Sequence, residues 1–213
     1  MPMTRGISTR ALLIGLATLT ILVACRRVQV QPSGDEAGLL RGPASTASQD
    51  TFWAELQSIC GKSYRGRVVE GNASDSAFRT ADLRMHVRQC APAEIRIPFH
   101  IGPNRSRTWV FTRTASGLRL KHDHRHEDGT EDAITQYGGD TRGRGSIHRQ
   151  EFHADSLTAT LIPAARTNIW TVEIIPGDRF AYALRREGTD RRYRVEFDLM
   201  TEIPAPAPPW GAR

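Results

Sequence analysis

The sequence predicts an all-β chain, an antiparallel up-and-down β-barrel with a short N-terminal helix in front of it, and three observations lead there. From Tyr64 onward, apolar and polar residues alternate in short runs, the period of strands with one dry and one wet face. Turn chemistry such as Ala115-Ser116-Gly117, Asp128-Gly129 and Pro176-Gly177-Asp178 separates the runs. The strands number about eight to ten, and a sheet of that size with short hairpins tends to close, because closure removes its exposed edges. A two-sheet β-sandwich is the alternative arrangement of the same strands.

The N-terminus comes first in the chain and sets the compartment. Met1 to Arg10 carries two arginines and no acid, and Ala11 to Ala24 is apolar, the layout of a secretory signal and too short to span a bilayer comfortably. The run closes on Leu22-Val23-Ala24-Cys25, which resembles a bacterial lipobox. Residues 1–24 are therefore expected to be a lipoprotein signal peptide and Cys25 the lipidated residue; an ordinary secreted protein cut elsewhere is the alternative. Acyl chains on Cys25 contribute about 0.8 kcal/mol per buried methylene, enough to tether the protein to a membrane without inserting it. Arg26 stands where an inner-membrane retention signal would place Asp, so similarity to that sorting rule favours a cell-envelope address on the outer membrane, facing the periplasm. Residues 25–49, rich in Gly, Ser, Ala, Gln and Pro, read as the lipidated cysteine and a flexible linker. Cys60 and Cys90 remain an even pair once Cys25 is lipidated, and are expected to form a disulfide in an exported protein, two buried free thiols being the alternative.

The barrel domain is expected over residues 50–203. Asp50 or Thr51 caps a helix with Phe52, Leu56 and Ile59 on one side and Gly61 as a left-handed stop. Strands follow at Tyr64 to Glu70, Leu83 to Cys90 and Ile95 to Ile101, with Asn104-Arg105-Ser106 read as a turn. Thr108 to Thr114, Leu118 to Glu127 and Thr130 to Tyr137 make a first meander, and Gly138 to Gly145 a loop. A strand at Ile147 to Phe152 and a short helix or lid at Leu157 to Ala165 lead into a second meander: Ile169 to Ile175, Phe180 to Arg186 and Arg191 to Met200. In the last of these, Tyr193, Val195, Phe197 and Leu199 face one way, and Arg192, Arg194, Glu196 and Asp198 the other. The Pro-rich tail, residues 204–213, reads as disordered or polyproline-like.

In outline this architecture resembles the lipocalin group, though its Gly-x-Trp signature is absent near the first strand. The stretches Phe52-Trp53, Cys60-Gly61-Lys62, Ile95-Arg96-Ile97-Pro98-Phe99-His100 and Arg194-Val195-Glu196-Phe197-Asp198-Leu199, with the His-rich run, resemble a family of uncharacterised exported bacterial proteins. That resemblance implies a shared domain over about residues 52 to 200 and carries no catalytic residue.

The formal charge is +6, and two of the basic residues, Arg5 and Arg10, fall in the segment expected to be removed. The remaining Lys and Arg are spread among acids along nearly every strand, which argues against a nucleic-acid partner and leaves the membrane, through the anchor, as the expected one. The unusual chemistry lies between Leu118 and Tyr137. With Asp128-Gly129 as a two-residue turn, Arg125 lies opposite Asp132 and His126 opposite Glu131. His122, His124, His126 and Glu131 then share one face, a candidate metal or small-ligand site. Two alternating histidines can converge on one zinc; a fourth ligand such as His100, His148 or His153 would have to come from elsewhere. A polar strand end near the barrel rim, or interior polar side chains hydrogen-bonded to their neighbours, is the plainer reading, and a His-lined pocket for an organic anion or a haem is a further alternative. No phosphate loop, dinucleotide fingerprint or nucleophile elbow is present, and Ser146, His148, His153 and Asp155 supply triad residue types without a triad motif. The expectation is an envelope protein that binds a small ligand or metal through its barrel. A zinc-dependent hydrolase and a purely structural lipoprotein are the alternatives.

Overall fold

The structure is a computed structural model and describes residues 47–212. Cys25, the expected signal peptide and most of the expected linker lie outside the described residues. The linker's last residues, Ala47 to Gln49, already belong to a helix.

That helix, α1 (Ala47–Ser58), begins three residues before the expected Asp50 cap. Phe52, Trp53 and Leu56 are its buried face, and the chain leaves it through Gly61 at φ +82°. Eleven strands follow: β1 (Ser63–Gly71), β2 (Leu83–His86), β3 (Gln89–Cys90), β4 (Glu94–Ile101), β5 (Asn104–Thr114), β6 (Gly117–His124), β7 (Tyr137–Thr141), β8 (Arg149–Ala154), β9 (Asn168–Ile175), β10 (Arg179–Arg186) and β11 (Arg192–Glu202). Every pairing is antiparallel and joins sequence neighbours, apart from β2 with β4 and β1 with β11, which complete the ring. The result is a closed ten-strand barrel, with β3 as a two-residue extension beside β4. The fold is therefore the barrel and not the two-sheet sandwich.

The helix α1 plugs one end. Its apolar face meets a core that includes Phe111, Phe152, Val172 and Ile174. Around it, Gln49 donates to Thr141 Oγ1 (3.1 Å) and to the Gly143 carbonyl (3.2 Å), Glu55 meets His148 Nδ1 at 3.1 Å, and Arg113 pairs with Asp50. The Cys60–Cys90 disulfide exists as expected and ties the helix end to β3. In the chain-entropy picture, closing a 30-residue loop stabilises the fold by about 3 to 4 kcal/mol.

Four expectations are corrected. Leu83 to Cys90 is two strands, β2 and β3, and Asn104 opens β5 instead of forming a turn. Thr130 to Gln136 is not a strand, and the next strand is Tyr137–Thr141, inside the stretch expected to be a loop. The tail meets the barrel at two points: Ile203 N–H donates to the Ser63 carbonyl (2.9 Å) and Trp210 N–H to the Arg105 carbonyl (3.1 Å). There, with Arg96, Thr108 and Arg125, it borders the outer side of Asp123, which is only 6% exposed although it faces away from the core. Arg96 (3.2 Å) and Arg125 (2.8 Å) supply the opposite charge that a buried carboxylate requires.

Candidate functional site

The end of the barrel opposite α1 is open, and a cavity of about 220 Å³ lies inside it. Its position follows from strand parity. On β5 the inward residues run Arg107, Trp109, Phe111; on β6, Leu118, Leu120, His122, His124; on β10, Phe180, Tyr182, Leu184, Arg186. Each inner face grades from apolar at the plugged end to aromatic and then polar at the mouth.

Midway up is a belt of rings. Trp109 stacks on Phe99 (4.8 Å, 12°) and on Tyr182 (4.6 Å, 22°), with Phe180 and Phe197 packed against it at 6.0 and 6.1 Å. His122 stacks on Tyr137 (4.4 Å, 8°) and lies 5.2 Å from Trp170. Phe78, from the short helix α2 (Ser76–Thr80), meets Tyr193 edge-on at 5.6 Å. Above the belt sits a polar rim. Arg107 is the cross-strand neighbour of both Phe99 and His124, and Arg186 that of Asn168. Arg191 Nη2 donates to Asp75 Oδ1 at 2.8 Å.

The histidines are integrated into this belt by hydrogen bonds. His122 is buried; its Nδ1 lies 3.0 Å from the Tyr137 carbonyl, which can only accept, so Nδ1 carries the proton. Nε2 is then an acceptor and receives a hydrogen bond from the Tyr182 hydroxyl at 2.8 Å. Burial pushes the His122 imidazole down to about 3, the bond to the Tyr137 carbonyl opposing, and His124 down to about 4, where the Arg107 guanidinium adds to the burial. Both rings are neutral near pH 7. Burial raises the Tyr182 hydroxyl well above its ordinary value and that of Tyr137 to about 12, so each phenol keeps its proton to donate. Tyr137 OH lies 3.3 Å from His124 Nε2.

The backbone around Tyr137 is held from two sides. Gly138 lies so close to β6 that a Cβ there would meet the Leu120 carbonyl oxygen at 2.0 Å. On the other side Thr158, from the helix α3 (Ser156–Leu161), bonds both the N–H and the carbonyl of Gly138 at 2.7 Å. Asp155 caps α3 by accepting from Thr158 N–H (2.9 Å) and also pairs with Lys121.

Of the four residues expected to share a face, the structure brings together two. His122 and His124 line the cavity, whereas His126 and Glu131 are exposed outside it. The reason is one turn residue. Gly129 at φ +88° closes a three-residue loop in which His126 N–H donates to the Thr130 carbonyl, so Arg125 pairs with Glu131 instead of Asp132. A one-residue slip moves a side chain to the other face of a ladder, and Glu131 accordingly bonds Arg125 Nη2 at 3.0 Å. The suggested fourth ligands also lie elsewhere. His100 is buried on the side of β4 opposite Phe99, and His148 bonds Glu55 at the plugged end. Among the described residues, no group of three His, Cys, Asp or Glu side chains is placed to hold a metal ion. Ser146 and His148 precede β8 and Asp155 follows it, so that strand's length separates the triad residue types.

The residues that build the cavity, namely Arg107, Trp109, Tyr137, Trp170, Tyr182 and Tyr193 with the two histidines, include six that the sequence did not mark as site residues, although its alternation did place Tyr193 on the inward face. Comparison of the chain with protein-family models, curated proteins and solved structures finds no match in any of the three.

Proposed function

We propose that this protein is a binding module of the cell envelope, tethered through a lipid on Cys25, whose barrel mouth takes up a small, flat, ring-bearing organic molecule. The observation that carries the reading is the half-open cavity of about 220 Å³ walled by stacked aromatic side chains. Small-molecule sites combine an apolar or aromatic wall with a few oriented polar groups, and the mouths of barrels are among their usual places. A space of this size suits one or two fused rings. The neutral, hydrogen-bonded imidazoles act as polar edges of the wall. The address is supported by the signal-like N-terminus and by a Cys60–Cys90 bridge suited to an oxidising compartment.

Isothermal titration of the protein with two-ring compounds, both neutral and charged, tests the reading. Saturable binding of at least one is expected, together with its loss in Leu184→Trp, which fills the cavity from β10. No binding of any of them, or binding that Leu184→Trp leaves unchanged, overturns it.

A further inference from the structure

We propose that the ligand of the mouth is an organic anion, a ring-bearing carboxylate whose charge is received by Arg107 and Arg186. This rests on the mouth being a binding site and adds the ligand's charge. The contrast that carries it is between arginines inside and outside the barrel. On the outer wall several are matched to acids, Arg96 to Glu94 (2.8 Å), Arg119 to Asp140 (2.7 Å), Arg149 to Glu151 (2.7 Å) and Arg194 to Glu173 (2.7 Å), and those without an acid, such as Arg67 and Arg192, are exposed to water. The mouth breaks the pattern. Arg107 Nη1 is steadied by neutral oxygens alone, Asn104 Oδ1 at 3.2 Å and Ser106 Oγ at 3.0 Å, and Arg186 Nε by Asn168 Oδ1 at 2.8 Å. Neither guanidinium has a carboxylate within ion-pairing distance among the described residues. Of the mouth's three arginines, Arg191 alone is neutralised, by Asp75. Neutral His124, the neighbour of Arg107 across the strand pair, adds no compensating charge.

Both arginines are half-buried, so each loses part of its hydration without gaining a counter-charge. A carboxylate entering the mouth supplies that charge. Guanidinium donors match a planar carboxylate, and the bond is stronger for being charged at both ends. Arg107 leaves Nε and Nη2 unbonded within the described residues, two donors on one side of the fork. Its Cζ lies 5.8 Å from the Phe78 ring centre, which holds it beside the aromatic wall. The ring system of the ligand would stack in the belt, with its carboxylate directed to the rim.

Calorimetric titration with naphthoate, naphthalenemethanol and naphthylmethylammonium separates ring from charge. Naphthoate is expected to bind about tenfold or more tighter than the alcohol, with the ammonium weakest. Arg107→Gln should remove most of that preference and Arg107→Lys should keep part of it, with circular dichroism showing the fold retained in both. Equal affinity for acid and alcohol, or naphthoate binding unaffected by both Arg107→Gln and Arg186→Gln, overturns the proposal while leaving the mouth as a binding site. If none of the three binds, the mouth itself is refuted and the proposal with it.

Discussion

The two ends of this barrel are built from the same alternation and solve opposite problems. At the plugged end, α1 buries Phe52, Trp53 and Leu56 against strand residues that are mostly apolar, and the buried Gln150 among them donates to the Arg144 and Ser146 carbonyls. At the open end no helix of the described residues enters the barrel. Its inward positions carry Tyr, Trp, His and Arg, whose polar atoms bond one another or face the cavity. The difference teaches that an interior position in a closed barrel is not automatically a stability position. Apolar residues close one end by packing; amphipathic residues keep the other open because water or a ligand must satisfy them.

The largest test of that comparison falls on the plug. Leu56→Ala and Phe52→Ala should each cost about 3 to 5 kcal/mol in chemical denaturation, since both side chains are fully buried. A loss below about 1 kcal/mol in both would show that the floor does not depend on the helix. Next in size is the response to pH. A histidine whose folded value is depressed takes its proton more readily in the unfolded chain. Its stability contribution is therefore complete above about pH 6.5 and is lost as pH falls toward its folded value. For His122 and His124 that window runs from about 6.5 down to about 3 and about 4. The loss should approach about 1.4 kcal/mol per pH unit for each ring. Denaturation between pH 7 and pH 5 reads the slope, and His122→Gln should make it shallower; an unchanged slope would mean that His122 is not held neutral in the folded state. The smallest effect is expected for Tyr182→Phe. Removing the hydroxyl leaves His122 Nε2 without its donor at a cost of about 1 to 3 kcal/mol. Full wild-type stability in that variant would mean that water replaces the phenol and that the belt is wetter than its packing implies.

Much of the barrel was legible in the sequence. Runs such as Tyr193, Val195, Phe197 and Leu199 against Arg194, Glu196 and Asp198 give the strand, its dry face and its ion-paired face together, and the structure places them so. The disulfide was legible from cysteine number and the expectation of export. The His-rich hairpin was half legible. A two-residue and a three-residue loop differ by a single turn position that Asp128-Gly129 does not decide, and every opposing pair beyond it shifts with that choice. The mouth was encoded but went unread. Inward residues grow polar along β6 and β10 and grow apolar along β5 and β9, a gradient that reverses with strand direction, as it must if all the polar ends meet at one opening. The arginines Arg107 and Arg186 are indistinguishable by composition from those on the outer wall. Only pairing reveals that they lack acids.

A helix seated in one end also makes the interior a vessel with one door. With that end filled, any molecule taken up at the mouth would have to leave by the way it came before a second could enter. Exchange is then serial, and at high concentrations of a competitor the rate of replacement levels off at the departure rate of the molecule already inside.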